Sequence, residues 1–322
     1  MPSIINIQSA FPHSIRQSFR LQHTIAQSAE LHGFGFWTSE DVTLQFRPGR
    51  INSGIVFFRS DIDAHPSVPA LVEYREEKPR QTSLVNGAAR VDMVEHLLAA
   101  VKALQIDNLE IWTDQPEMPG FDGSSRCFFD ILKEACVVKQ PAFKPVRVVT
   151  ESFRVGSGTQ YITASPHPHG LNSYRYSLVP QENYPLEAQD YRFNLTPSNF
   201  TWELADSRTF VAKFEAERLI AAGLCKRVTA KDVLVLGEAG PIDNDYRYAD
   251  ECARHKILDM VGDFSLEDCD IVGSFESYRG GHSLNAECLR EIVRHSMLLS
   301  DEYISQHNEI FCCDDKQHLK VA

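Results

Sequence analysis

The chain has 322 residues, of which 43% are hydrophobic and 24% charged, an ordinary balance for a globular protein. At about 150 residues per domain, this length suggests about two domains. Asp and Glu number 44 against 32 Lys and Arg, so the formal net charge is −12, opposite to that of a typical nucleic-acid binder. No run reaches the roughly 20 apolar residues of a membrane-spanning helix. We therefore expect neither nucleic acid as a partner nor an integral membrane segment.

The eight cysteines are scattered without a C-x-x-C pair, and no secretory hydrophobic region follows Met1. Free thiols in a reducing compartment fit this pattern. The first 29 residues contain no Asp or Glu and carry Arg16 and Arg20, which fits either a short tail or a transit peptide. We expect a tail at 1–17 and a cytoplasmic, monomeric protein.

Strand-like runs open the first half of the chain, since Val42–Phe46 alternates at period two and Ile55–Phe58 is a short apolar run. A helical pattern follows at 92–104, then a strand pattern at 109–112. The turn at 122–125 begins a second helix. We assign these elements to a first α+β domain, residues 18–140.

Two prolines in K-Q-P-A-F-K-P, residues 139–145, predict a domain boundary. Strands followed by helices recur after it, which favours a second α+β domain of similar design at 146–300, with a C-terminal tail at 301–322. The predicted strands are 146–149, 161–164, 174–178, 191–195, 233–236 and 271–275, and the predicted helices are 211–222, 249–264 and 284–299.

The segment V-D-M-V-E-H-L-L at 91–98 places two ionisable side chains in an apolar helix. Glu95 and His96 lie off the main apolar stripe, but their own side is lined by methionine and alanines, so we expect both to be buried. Buried ionisable groups need a partner, a metal or a chemical role. By itself the segment fits a surface Glu-His pair equally well.

The segment R-H-K-I-L-D-M-V-G-D at 254–263 puts His255 and Asp259 one helical turn apart, with Asp263 one turn further on. An imidazole and a carboxylate so spaced can bind one zinc ion, although exposed ion pairs share this spacing. Gly262 falls on the same face and predicts open space in front of it.

Two loops carry further candidates. His282 follows two glycines after a predicted strand, and such a loop can approach a ligand closely. The segment D-S-R-T-F at 206–210 opens a predicted helix, and plain N-capping explains it as well as a functional site does.

Together these segments resemble the zinc-dependent UDP-3-O-acyl-N-acetylglucosamine deacetylases of lipid A biosynthesis, over roughly residues 18–299. The resemblance implies two α+β domains whose helices pack face to face in a sandwich, with the zinc site at the domain junction. The motifs that carry it are V-E-H-L at 94–97, I-D-N at 106–108, P-E-M-P-G-F-D-G-S at 116–124, S-R-T-F at 207–210, R-H-K-I-L-D-M-V-G-D at 254–263 and G-H-S-L-N at 281–285.

The resemblance also implies a role for each site residue. One Zn²⁺ would be bound by His96, His255 and Asp259, with a fourth position left for water. Glu95 would act as the general base, and His282, oriented by Asp263, would stabilise the oxyanion or protonate the leaving amine. The remaining residues would contact the substrate: Thr209 the oxyanion, Phe210 the sugar or nucleoside, and Lys256 and Arg279 the diphosphate.

Five segments depart from the family pattern, mainly where the acyl chain and the nucleotide are expected to bind. Trp37 replaces a histidine of G-L-H-S/T-G, and Gln160 stands where a basic residue is expected. Small residues that border the acyl passage are replaced in Lys226-Arg227-Val228. The two remaining departures are Asp92-Met93 before V-E-H and Val211-Ala212 after Thr209-Phe210.

We therefore expect zinc-dependent release of acetate from UDP-3-O-acyl-N-acetylglucosamine, the committed step of lipid A biosynthesis. A deacetylase for another acetamido sugar or another acyl length is the first alternative. A non-catalytic homologue that binds the nucleotide sugar is the second, but the intact set of metal ligands and proton-transfer groups speaks against it.

Overall fold

The computed structural model describes residues 19–300, 302 and 303. The predicted tail at 1–17 lies outside the described residues, as does all but 302 and 303 of the predicted tail at 301–322. The described part of the chain is a mixed α+β fold with several sheets. Its helices are α1 (Glu95–Ala103), α2 (Arg126–Glu134), the single turn α3 (Pro197–Asn199), α4 (Lys213–Ala221), α5 (Glu251–Phe264) and α6 (His282–Arg294).

Eight of the strands precede α1, and the others lie between and after the helices. The strands are β1 (Leu21–Ile25), β2 (Ala29–Phe34), β3 (Asp41–Pro48), β4 (Ile55–Arg59), β5 (Ser67–Pro69), β6 (Arg75–Glu76), β7 (Ser83–Asn86), β8 (Ala89–Asp92), β9 (Leu109–Thr113), β10 (Val137–Phe143), β11 (Val146–Val149), β12 (Phe153–Ser157), β13 (Gln160–Ser165), β14 (Asn172–Leu178), β15 (Gln189–Asn194), β16 (Phe210–Ala212), β17 (Leu234–Gly237), β18 (Gly240–Pro241), β19 (Asp270–Tyr278) and β20 (Ser296–Leu299).

Two larger sheets organise the fold. A five-stranded sheet has the order β2-β3-β9-β4-β5, and a seven-stranded sheet is built around the long strand β19, which pairs with β11, β13 and β14. The period-two pattern of β3 is confirmed, because Val42, Leu44 and Phe46 are buried while their neighbours are not. Smaller sheets are β6-β7-β8, β16-β17-β18 and the pair β1-β10.

Helices α1 and α5 pack against each other, and nearly all residues of both are buried. A Cβ atom added to Gly262 would lie 2.0 Å from the backbone oxygen of Glu95, so only glycine permits this approach. The prediction of open space in front of Gly262 was wrong, since the first turn of α1 fills that space. The close contact brings the ionisable residues of both helices to one place.

A partly buried ion-pair network also joins distant parts of the chain. The Arg20 guanidinium lies 2.6 Å from Asp107 and 2.7 Å from Asp270, and Lys102 lies 3.0 Å from Asp270. Burial alone would raise the pKa of Asp270, but the charges of Lys102 and Arg20 hold it well below its usual range. These contacts link the start of β1, the end of α1 with the loop after it, and the start of β19.

Several element boundaries differ from the sequence predictions. Most of the segment at 139–145, where the sequence predicts a domain boundary, lies in a strand. Lys139–Phe143 belongs to β10, and Pro141 falls at an irregularity in the pairing with β1, where its missing N–H costs no ladder bond. The predicted helix at 284–299 was wrong at its end, because Ser296–Leu299 pairs with β11. Helix α1 begins at Glu95 rather than 92, after Met93 turns the chain with a φ of 58°.

No helix among the described residues is both long enough and apolar enough to cross a membrane.

We predict that Gly262→Ala destabilises the protein by about 3 kcal/mol or more, because the new methyl group overlaps backbone atoms of α1 that cannot move independently. Denaturant unfolding measures this loss. Gly281→Ala is the matched control, since nothing lies within 4 Å of its new Cβ and its φ is −148°. Equal stability of the two variants would contradict the proposed close contact.

Candidate metal centre

The first turn of α1 and the middle of α5 bring four ionisable side chains together. Glu95 is 3% exposed and His96 6%, while His255 and Asp259 are each 3% exposed. The expectation that Glu95 and His96 are buried is confirmed. Buried ionisable groups at this density require compensating partners or a bound ion.

Three of these side chains, which we call the metal group, can together hold a metal ion: His96, His255 and Asp259. One donor atom from each of His96, His255 and Asp259 lies within 4.8 Å of the other two. Asp259 Oδ1 is 3.5 Å from His96 Nε2 and 3.3 Å from His255 Nε2. That oxygen is buried and has no hydrogen-bond partner. Two imidazole nitrogens and a carboxylate oxygen without a hydrogen-bond partner form a donor set suited to zinc.

The backbone carbonyl of Ser207 fixes the protonation of His255. His255 Nδ1 lies 3.1 Å from Ser207 O and donates its proton there, which leaves the lone pair of Nε2 directed toward Asp259. Burial lowers the pKa of His255 to about 3 against the opposing charge of Asp259, so the imidazole is neutral. A neutral ring with a carbonyl partner on the far nitrogen is the usual state of a metal ligand.

The segment that supplies this carbonyl is itself anchored by a buried ion pair. Arg208 and Glu251 are 2% and 0% exposed, and the guanidinium Nε donates to the carboxylate at 2.8 Å. The same carboxylate accepts the backbone N–H of Arg208 at 3.1 Å and that of Arg247 at 2.7 Å. Plain N-capping therefore does not describe residues 206–210, because α4 begins later, at Lys213.

A second cluster of polar groups lies beside the metal group. Glu95 accepts a hydrogen bond from the backbone N–H of Thr82 at 2.9 Å, and its Oε1 lies 3.9 Å from His282 Nε2. His282 Nδ1 is 2.8 Å from Asp263, whose other oxygen accepts the hydroxyl of Thr82 at 2.5 Å. Asn285 donates to Asp263 at 2.7 Å.

These contacts raise the pKa of both Glu95 and His282, but from different causes. Burial raises the pKa of Glu95, and the charges of His282 and His96 only partly offset that effect. Burial also disfavours a charged His282, but the carboxylates of Asp263, Glu95 and Asp259 outweigh it and raise the pKa of His282 to about 9. The site thus contains a carboxylate with increased basicity next to an imidazolium that can donate a proton.

The remaining predicted residues surround a cavity of about 760 Å³ in front of the metal group. Thr209 and Phe210 lie on its wall, and the backbone N–H of Thr209 donates to Gly123 O at 2.8 Å. Lys256 also borders the cavity, but its ammonium lies 2.7 Å from Asp259 Oδ2 and neutralises that oxygen. Arg279, in the left-handed region with a φ of 55°, borders the same cavity.

Sequence reasoning missed three groups that position this site. Thr82 contacts both Glu95 and Asp263, yet it lies in a segment with no motif of its own. Asn285 lies within G-H-S-L-N, which could have indicated a role. The Ser207 carbonyl is a backbone group, so no residue type could have revealed it.

Comparison with known proteins finds that this chain is similar to one family of deacetylases. The family model for UDP-3-O-acyl N-acetylglycosamine deacetylase (LpxC) matches residues 22–294. A relative named UDP-3-O-acyl-N-acetylglucosamine deacetylase from Myxococcus xanthus is 33% identical over 281 residues, which cover 87% of this chain and 88% of the relative. Relatives with the same name from Glaesserella parasuis and Haemophilus influenzae are 33% and 32% identical, each over 84% of this chain and 90% of the relative.

We predict that His255→Ala weakens zinc binding by more than about 100-fold. Loss of a residue that hydrogen-bonds to a metal ligand costs roughly 10–100-fold, and this variant removes a donor atom itself. Metal analysis after dialysis against a zinc buffer measures the change. His32→Ala is the control, since His32 is exposed and its contacts are with Glu30 and Thr43, away from the metal-binding residues in the sequence. Undiminished zinc in His255→Ala would refute the metal centre.

Proposed function

This chain belongs to the UDP-3-O-acyl-N-acetylglucosamine deacetylase family, and we propose that it hydrolyses the N-acetyl group of UDP-3-O-acyl-N-acetylglucosamine and releases acetate. The reaction is a step of lipid A biosynthesis. The observation that carries the proposal is the unsatisfied Asp259 oxygen, which faces two histidine nitrogens beside the Glu95–His282 pair.

We assign one Zn²⁺ per chain to His96, His255 and Asp259. The neutral state of His255 and the unsatisfied oxygen of Asp259 support this assignment. When bound, the ion supplies Lewis-acid polarisation of the acetamide carbonyl and activation of water. Lys256 contacts the other oxygen of Asp259 and leaves Oδ1 available as the donor atom.

Glu95 serves as the general base in this proposal. It accepts the proton of the attacking water as the new C–O bond forms, and its raised pKa favours that transfer. The hydrogen bond from Thr82 N–H holds the carboxylate in place. Glu95 lies next to His96 on α1, so the same helical turn supplies a metal ligand and the base.

His282 supplies the positive charge and the proton in the second half of the reaction. As an imidazolium it stabilises the developing oxyanion or protonates the leaving amine as the C–N bond breaks. Asp263 orients the ring through Nδ1 and leaves Nε2 directed toward Glu95. Thr209 lies on the same cavity wall and donates a further hydrogen bond to the oxyanion.

The substrate-binding groups lie around the same cavity. Phe210 contacts the sugar or the nucleoside, and Lys256 and Arg279 face the diphosphate. Among the ion pairs of the described residues, Lys256 is already matched with Asp259 whereas Arg279 has no carboxylate partner. Arg279 is therefore the stronger candidate for binding a phosphate, and Gln160 on the same rim contributes a hydrogen bond without charge.

We further propose that the chain consists of two α+β domains, 18–140 and 146–300, whose helices face each other with the metal centre at their junction. The α1–α5 contact and the separate five- and seven-stranded sheets support this division. Six cysteines of the described residues are free thiols, which supports a cytoplasmic setting.

We predict that Glu95→Gln lowers kcat by about 10²–10⁴-fold and leaves the zinc content unchanged, because the amide still accepts the Thr82 hydrogen bond but cannot take up a proton. Acetate release and metal analysis on the same preparation test both statements. The control is Glu238→Gln, an exposed glutamate in the turn between β17 and β18. Near-normal turnover of Glu95→Gln would exclude it as the base.

A further inference from the structure

The cavity in front of the metal group has an apolar part that the reaction at the acetamide does not use. Its walls come from two regions of the chain, the loop before β3 and the segment from α4 to β18. The apolar lining residues there include Trp37, Leu219, Ile220, Val228, Val233 and Val235. We call this part the apolar arm. The long apolar group of the proposed substrate is its acyl chain, so the acyl chain fits this arm.

The wall formed by Trp37 is held by a buried carboxylate. Glu117 is 2% exposed and accepts hydrogen bonds from the backbone N–H groups of Trp37 at 2.7 Å and Thr38 at 2.9 Å. The Thr38 hydroxyl donates to it at 2.7 Å. Gly35 lets the carboxylate approach, since an added Cβ would lie 2.5 Å from Glu117 Oε2. These bonds fix the backbone beneath the indole.

The opposite wall, at 225–228, is tied to that loop by Arg227. The guanidinium donates to Asp41 Oδ1 at 2.6 Å and to Ser39 O at 3.1 Å, and lies 4.3 Å from the ring centre of Phe34. The backbone N–H of Arg227 donates to Ser39 Oγ at 3.3 Å. We call this set of contacts the Arg227 clasp.

The clasp derives its strength from the number of its contacts. Asp41 is 85% exposed, so the ion pair alone contributes little to stability. A planar guanidinium can stack on Phe34 and bind two oxygens at the same time. A further backbone bond, from Cys225 N–H to Trp37 O at 3.4 Å, joins the same two walls.

The contacts of Arg227 matter because helix α4 has little other attachment to the fold. None of its residues is buried, so the core does not hold it in place. Its segment is tied to the first half of the chain by the Arg80–Glu215 ion pair, at 2.7 Å, and by the Arg227 clasp. The clasp is next to Val228, which closes a turn by donating its N–H to Cys225 O at 3.1 Å.

We propose that the Arg227 clasp closes the apolar arm between Trp37 and Val228, and thereby sets the longest 3-O-acyl chain that the pocket accepts. The proposal rests on the proposed function. Arg227 does not line the cavity and acts as a positioning residue, whereas Trp37 and Val228 are the residues an acyl chain touches. The replacement of small residues at 226–228 thus determines acyl length and leaves the metal chemistry unaffected.

The test uses UDP-3-O-(3-hydroxyacyl)-N-acetylglucosamines of increasing chain length with the zinc-loaded protein. Wild-type kcat/KM is expected to rise about fourfold for each methylene that becomes buried, and then to fall when the chain reaches the closed wall. In Arg227→Ala the fall moves to longer chains. Two newly buried methylenes change the preference for long over short substrates by about 16-fold.

Matched variants separate positioning from general stability. Asp41→Ala is expected to shift the length profile in the same direction, and the double variant to shift it no further than Arg227→Ala. Arg227→Lys restores part of the wild-type profile, since it retains the charge but not the guanidinium plane. Arg218→Ala is the control, because Arg218 lies on α4 and stacks on Phe214 of its own helix; its profile remains that of the wild type.

An unchanged length profile in Arg227→Ala overturns the proposal, as does an equal loss at every chain length. Absence of acetate release from every member with the wild-type protein would refute the proposed function instead. The clasp is then tested by calorimetric titration with 3-hydroxy fatty acids of the same lengths. The same shift of the cut-off in affinity would support the clasp, and its absence would overturn it.

Discussion

The close contact between α1 and α5 at Gly262 determines the geometry of the whole site. Each helix carries part of the chemistry, with Glu95 and His96 on α1 and His255, Asp259 and Asp263 on α5. A single methyl group at Gly262 would separate the helices, since the Glu95 backbone oxygen lies 2.0 Å from the position it would occupy. The partly buried Arg20–Asp107–Asp270 network joins the same halves away from the site. Packing and chemistry therefore depend on the same contact.

The charges of the site are arranged in two groups with different tasks. The metal group contains a neutral imidazole fixed by the Ser207 carbonyl and a carboxylate oxygen without a hydrogen-bond partner. The neighbouring group contains Glu95 and His282, whose pKa values are both raised, one by burial and the other by surrounding carboxylates that outweigh burial. Thr82 connects the two residues by contacting Glu95 and Asp263. A base and an acid can thus act at one carbonyl without neutralising each other.

The family and the chemistry could be predicted from sequence because they are carried by short segments with fixed helical spacing. His255 and Asp259 are one turn apart, and this spacing alone places both on one face of α5. The surroundings of Gly262 could not be predicted, because they depend on a second helix from a distant part of the chain. The two prolines at 139–145 gave no indication of a strand, yet tertiary pairing with β1 places Pro141 in β10 at an irregular position. Arg227 was recognised as a departure, but its partners at 39–41 are almost 190 residues away and only the fold brings them together.

The most direct test of this account is acetate release from UDP-3-O-(3-hydroxyacyl)-N-acetylglucosamine by the purified protein, compared between zinc-loaded, chelator-treated and zinc-restored samples. We expect turnover in the loaded sample, its loss after chelation and its recovery when zinc is returned. Turnover that persists without metal would contradict the assignment of the His96–His255–Asp259 group. No acetate release from a sample with one zinc per chain would contradict the proposed substrate.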